Sequence, residues 1–145
     1  MYEIKQIVGE DLLTRFNEIK GNIDTALVHS DGEWTSLQIV QEAISSPGIF
    51  HVWDVLKDGK SVAIATTRFI KYNSFNSIHI ITLGGIAQGD FPSWANQFEE
   101  MIKDFPQVDF LEFTGRRGLV KGLSNVGWNE RYTTMRKQIK GDNNV

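Results

Sequence analysis

Residues 50–83, FHVWDVLKDGKSVAIATTRFIKYNSFNSIHIITL, decide the fold. From Phe50 to Leu56 the chain has a period of two and is rich in β-branched and aromatic side chains, the pattern of a half-buried strand. Lys57-Asp58-Gly59-Lys60 follows, and Asp-Gly accepts the positive φ that a tight hairpin turn needs. The strand pattern resumes from Ser61 to Ile70, turns again at Asn73–Asn76, and continues from Ser77 to Leu83. Three consecutive antiparallel strands are therefore predicted at mid-chain.

Reading outward from this meander, Tyr2–Val8 alternates as a short first strand. Leu12, Leu13, Phe16 and Ile19 form a helical stripe that Gly21 and Asn22 should stop. A second helix is predicted from Ser36, as N-cap, through Leu37, Ile39, Val40 and Ala43 to Ser46, closed by Pro47-Gly48. Beyond the meander, Gly84, Gly85 and Gly89 mark a crossing. Pro92 suits a helix's first turn, and Trp94, Phe98, Met101, Ile102 and Phe105 follow at helical spacing up to Pro106. Val108–Thr114 reads as a strand. Gly115 and Gly118 open a short helix with Leu119, Val120, Leu123 and Val126, which Gly127 caps. Trp128–Ile139 supplies a final strand or hairpin. The order β-α-α-β-β-β-α-β-α-β gives a mixed α+β (α/β) class with a partly antiparallel sheet. Residues 1–140 are expected to form one domain, with 141–145 a flexible tail.

The chain has 145 residues, enough for one ordinary domain, with no cysteine. Disulfides, thiolate metal sites and cysteine nucleophiles are excluded. The histidines His29, His51 and His79 have no metal-ligand spacing. No apolar run approaches the ~20 residues of a membrane span, and the N-terminal residues do not resemble a signal or transit peptide. A cytoplasmic protein is expected. The net charge of −3 is uneven: residues 116–140 carry seven cations against Glu130, giving +6 and leaving −9 for the remainder. Such a segment can draw an acidic partner. A pI of 5.6 argues against nucleic acid.

The element order, ending in a β-loop-α-β-α-β half, resembles the GNAT (Gcn5-related N-acetyltransferase) superfamily. Leu119-Val120-Lys121-Gly122-Leu123-Ser124-Asn125-Val126-Gly127-Trp128 looks like the family's helix that ends in glycine and an aromatic residue. More narrowly, the chain resembles the short GNAT-like proteins of tailed bacteriophages, which would place it in the host cytoplasm or the virion. The resemblance implies a sheet splayed at its centre, with acetyl-CoA wedged between the fourth and fifth strands. Backbone N–H groups of the following loop and helix start would hold the pyrophosphate.

On that resemblance, Leu83, Gly84, Gly85, Gln88, Gly89 and Ser93 are the cofactor-binding candidates. The family's loop pattern, Q/R-x-x-G-x-G/A, falls on Gln88-Gly89-Asp90-Phe91-Pro92-Ser93. Gln88 matches, but Phe91 replaces the first glycine and Ser93 the second small residue. Glycine would let the backbone approach a phosphate, whereas phenylalanine adds bulk, Pro92 removes a donor, and Asp90 adds like charge. An alternative register uses Gly84-Gly85-Ile86-Ala87-Gln88-Gly89 as the cradle. Many relatives also carry a tyrosine acid four residues before the helix-ending glycine. Leu123 stands there, with Ser124 beside it as a much poorer acid.

Amine acylation also needs a base, for which Asp54, His79 and Glu112 are the candidates. His79 should share a face with Ile81 and Leu83, Glu112 should face away from Leu111 and Phe113, and Asp54 reads as a solvated hairpin position. Trp53 and Trp94 are expected in the core. Trp34, in a polar loop, together with Arg116 and Arg117, is a candidate for partner binding. With both Phe91 and Leu123 departing from the pattern, the expected function is a non-catalytic or weakly active binding module with eroded acetyl-CoA motifs. The alternative is an active N-acetyltransferase that uses acetyl-CoA on a small-molecule or protein amine.

Overall fold

The computed structural model describes residues 1–28, 32–85, 91–105, 107–115 and 117–140. Five strands lie in the order β1-β2-β3-β4-β5: β1 (Tyr2–Ile7), β2 (Phe50–Lys57), β3 (Lys60–Lys71), β4 (Asn76–Gly84) and β5 (Phe110–Phe113). β1 to β4 pair antiparallel, and β5 pairs parallel to β4. The β2–β3 turn falls at Asp58-Gly59, where both residues have positive φ, as the hairpin reading requires.

The helices are α1 (Glu10–Thr14), α2 (Phe16–Leu27), α3 (Ser36–Ser45), α4 (Phe91–Ile102) and α5 (Arg117–Ser124). They cover both sheet faces. On one face, Trp53, Ala65, Ile78 and Ile80 pack against Phe91, Trp94 and Phe98 of α4 and Leu119 and Leu123 of α5. On the other, Val52 and Ile64 pack against Leu12, Ile19, Ile23, Ile39 and Val40. Trp53 and Trp94 are core residues, as expected.

Several elements differ from the expectation. The first helical stripe does not stop at Gly21-Asn22: after a break at Arg15, α2 runs on to Leu27. Ile19 and Ile23, one turn apart, are both completely buried, and that burial outweighs the roughly 1 kcal/mol cost of a mid-helix glycine. Thr35, rather than Ser36, caps α3, its hydroxyl accepting the Gln38 N–H at 3.1 Å. The final strand is the largest miss, since residues 128–140 form no strand or helix. Tyr132, Met135 and Ile139 are 84–89% exposed, so their β-like composition finds no sheet edge. Among the described residues the order is therefore β-α-α-α-β-β-β-α-β-α, with one helix more before β2 and without the last β. The predicted tail at 141–145 lies outside the described residues.

One irregularity shapes the sheet's centre. Thr66 pairs with Thr82 but Thr67 pairs with Ile80, so Ile81 is an extra residue in β4. A bulge of this kind bends its strand and sharpens its twist. The β4–β5 ladder ends at Ile80–Phe113, immediately before the bulge, while β4 continues to Gly84. The two strands thus part over Ile81–Gly84. The bulge also corrects the expected face of Leu83. Ile81 packs on the α2 side and Leu83 joins the α4-side core, so His79 shares its face with Ile81 but not with Leu83.

Candidate functional site

The strand register carries one row of side chains across four strands: Phe50, Arg68, His79 and Glu112. Directly paired residues on neighbouring strands point to the same face. Phe50 is packed against the α2–α3 core, which places the whole row on that side. Glu112 indeed faces away from Leu111 and Phe113, which pack on the α4 side.

His79 and Glu112, separate candidates in the sequence, are brought together: His79 Nδ1 lies 3.0 Å from Glu112 Oε1. The Tyr72 hydroxyl donates to the same carboxylate oxygen at 3.0 Å. Burial, and then the bond to Glu112, push the Tyr72 phenol above its ordinary pKa. At the other end of the row, Trp34 packs edge-on to Phe50, with centroids 5.8 Å apart, and covers the Arg68 guanidinium at 5.5 Å. Trp34 is half-buried, between loop and core. Tyr72 and Arg68 were missed in the sequence. Their signal was register, since pairing the predicted β3 with β4 sets Arg68 beside His79.

The third base candidate lies elsewhere. Asp54 is a buried anchor instead of a solvated hairpin residue. It accepts from Arg15 Nη1 at 2.8 Å and Ser61 Oγ at 2.5 Å, with only 6% of its surface exposed. Arg15 also binds Glu18, and the two carboxylates raise its pKa. This network ties the α1–α2 junction to the sheet.

Ser124 is not placed as an acid. Its hydroxyl donates to the Val120 carbonyl at 3.0 Å, within its own helix, and Leu123 is a core side chain. Of the cofactor candidates, Leu83 is in the core and Ser93 is exposed. Gly84 and Gly85 adjoin α2 and β3: a Cβ on Gly84 would overlap the Asn22 carbonyl, and Gly85 has φ +123°. Gln88, Gly89, Arg116 and the Arg117 side chain lie outside the described residues.

On the family resemblance a pyrophosphate would be held at the start of α4, where the described residues Phe91 and Pro92 do not form a cradle for one. The Phe91 ring is wholly buried, with centroids 4.7 Å from Trp94, 5.9 Å from Phe113 and 6.1 Å from Trp128. Phe113 ends β5, so this ring cluster packs at the end of that strand on the α4 side. Pro92 contributes no N–H. It also packs so closely on α5 that a Cβ on Gly122 would sit 3.0 Å from its ring. A cavity of about 430 Å³ does open beside Gly85, between α2 and the start of β3. Among the described residues its one charged lining residue is Glu18, the wrong sign for a phosphate. No group of described acids and histidines could hold a metal ion, and no described helix is long and apolar enough to cross a membrane.

Comparison with solved structures identifies the fold. An aminoglycoside acetyltransferase from an uncultured soil metagenomic sample superposes with a TM-score of 0.65 at 10% identity, over 97% of this chain and 99% of that one. Glucosamine-6-phosphate N-acetyltransferase from Arabidopsis thaliana gives 0.61 at 14% identity, with the same coverage. A possible acetyltransferase from Clostridium difficile 630 gives 0.64 at 11% identity, again over 97% and 99%. No protein-family model and no curated protein sequence matches the chain. The chain has the GNAT acetyltransferase fold.

Proposed function

We propose that this chain is a GNAT-fold binding module, residues 1–140, whose acetyl-CoA motifs have eroded and whose work is to hold a protein partner. The phage resemblance of its sequence makes that partner a virion component or a host protein met in the cytoplasm. The buried Phe91 ring carries the reading. A phosphate cradle needs small residues and free amides at a helix start, and here an aromatic side chain is folded into the core with Pro92 behind it. Calorimetric titration with acetyl-CoA tests this directly. No saturable heat at micromolar to millimolar ligand is expected, and micromolar affinity would reverse the reading.

A second reading is supported by one observation, the His79–Glu112 contact beside the parting strands. On that reading the chain is an N-acetyltransferase acting on a small-molecule or protein amine. One solved protein of this fold is a glucosamine-6-phosphate N-acetyltransferase. Glu112 and His79 would then be the groups able to take a proton from the amine. CoA release in the presence of an amine panel, abolished by Glu112→Gln, is the result that would favour it.

A further inference from the structure

The row that carries His79 also carries a cation, Arg68, with no opposite charge paired to it among the described residues. Arg68 Nε is buried and has no hydrogen-bond partner, and no described carboxylate pairs with its guanidinium. Glu112 is the nearest acid along the row, but His79 stands between the two strands and is Glu112's partner. A desolvated donor left unpaired is unfavourable, and an anion at the accessible edge of the half-buried guanidinium would offset its charge. Trp34 covers the guanidinium from one side at 5.5 Å, and a guanidinium that meets an aromatic ring through its face can still offer N–H groups at its edge to a carboxylate.

The surroundings extend this point into a surface. Arg136 forms an ion pair with Glu33, the neighbour of Trp34, at the Trp34 end of the row. The chain from 128 to 140 therefore passes beside the row. Along it Arg131, Lys137 and Lys140 are exposed, interspersed with exposed Tyr132, Met135 and Ile139. Such a segment offers charge and apolar contact together, at spacings of a few residues.

We infer that Arg68 beneath Trp34, with the basic 128–140 segment alongside, is the docking site for an acidic segment of a partner protein, one carboxylate of which seats on the Arg68 guanidinium. The inference rests on the binding-module reading and names the partner's chemistry. Several spread cations favour a polyacidic peptide over a single small acid. Glu33 and Glu112 within the surface oppose a nucleic-acid backbone, whose charges fall at every residue, whereas a peptide can alternate its acids with apolar side chains.

The test uses the full chain with a fluorescent peptide of alternating glutamate and leucine, followed by anisotropy and by the Trp34 indole N–H signal in NMR. Single-stranded DNA of matched length and free glutarate serve as comparators. The expected result is binding that shifts the Trp34 signal, weakens about tenfold or more in Arg68→Met, is partly retained in Arg68→Lys, and declines as salt is raised. Far-ultraviolet circular dichroism checks that each variant folds, and Trp34→Phe gives an independent variant at the same point. An unmoved Trp34 signal, equal peptide affinity in Arg68→Met, or tighter binding of DNA or glutarate overturns the inference. The acetyl-CoA titration is a separate measurement, so a failure here leaves the binding-module reading standing and a failure there is recognised independently.

Discussion

His79 and Glu112 face each other across the one parallel ladder of the sheet, Nδ1 to Oε1 at 3.0 Å, two residue pairs from where β4 and β5 part. The pair joins β4 and β5 just before their ladder ends at Ile80–Phe113, and Tyr72 holds the same carboxylate from the β3–β4 turn. About a quarter of each side chain is exposed, 24% for His79 and 27% for Glu112. The contact thus fixes geometry more than it adds stability.

That arrangement predicts a titration shift at Tyr72. Burial and the Glu112 carboxylate both disfavour the phenolate, so Tyr72 should titrate above its ordinary value of 10.0. Glu112→Gln removes the charge but keeps the shape, and the Tyr72 pKa should fall back toward that value. Tyrosine ring ¹³C shifts followed through alkaline pH would check this. An unchanged Tyr72 curve in the variant would mean that Glu112 does not hold it.

Asp54 predicts a stability effect far from that pair. Its carboxylate is nearly enclosed and bonded to Arg15 and Ser61. Asp54→Ala should therefore destabilise the chain by ~2–3 kcal/mol, the scale of hydrogen bonds to a charged group. Because Arg15 is 30% exposed, water can take up part of its charge, which keeps the loss below that of a sealed ion pair. Urea denaturation measures it, and a loss under ~0.5 kcal/mol would show the network to be incidental.

The meander from Phe50 to Leu83 was legible in sequence because local signals coincided: period-two alternation, Asp-Gly at the turn and β-branched composition. Helix α2 was misread because Gly21 and Asn22 are strong local stops, while the buried pair Ile19 and Ile23 acts through tertiary contact that no short window contains. Residues 128–139 were misread for the opposite reason. Tyr132, Thr133, Thr134 and Ile139 suit a strand, but a strand also needs a partner edge. At the site, His79 and Glu112 were picked out by residue type, and the face of Glu112, but not all of that of His79, followed from alternation. Their contact, and the roles of Arg68 and Tyr72, depended on register and on one bulge at Ile81, which a single sequence does not encode locally.

His51 gives a pH dependence. It is buried against Trp53 and Phe105, with Nδ1 2.8 Å from Thr67 Oγ1, and desolvation lowers its pKa from 6.5. The unfolded chain then binds a proton more readily than the folded one. Stability from this group is present above about pH 6.5 and is lost as pH falls from there toward the depressed folded value. The urea midpoint should decline on acidification through that window, and His51→Gln should flatten the decline. An equal slope in the variant would assign the effect to other groups.

Two glycines should respond to alanine with opposite signs. At Gly84, at the end of β4, a Cβ would overlap the Asn22 carbonyl of α2, a backbone atom that cannot step aside. Gly84→Ala must push α2 away from the sheet, at a cost on the order of 1–3 kcal/mol. Gly21 is in the middle of the same helix with nothing within 4 Å of an added Cβ. Gly21→Ala should stabilise by ~0.4–1 kcal/mol, through higher helix propensity and a less flexible unfolded chain. Thermal midpoints of the two single variants decide the matter. A neutral Gly84→Ala would mean that α2 does not rest on the end of β4, and the close approach of helix and strand beside the parting seam would have to be redrawn.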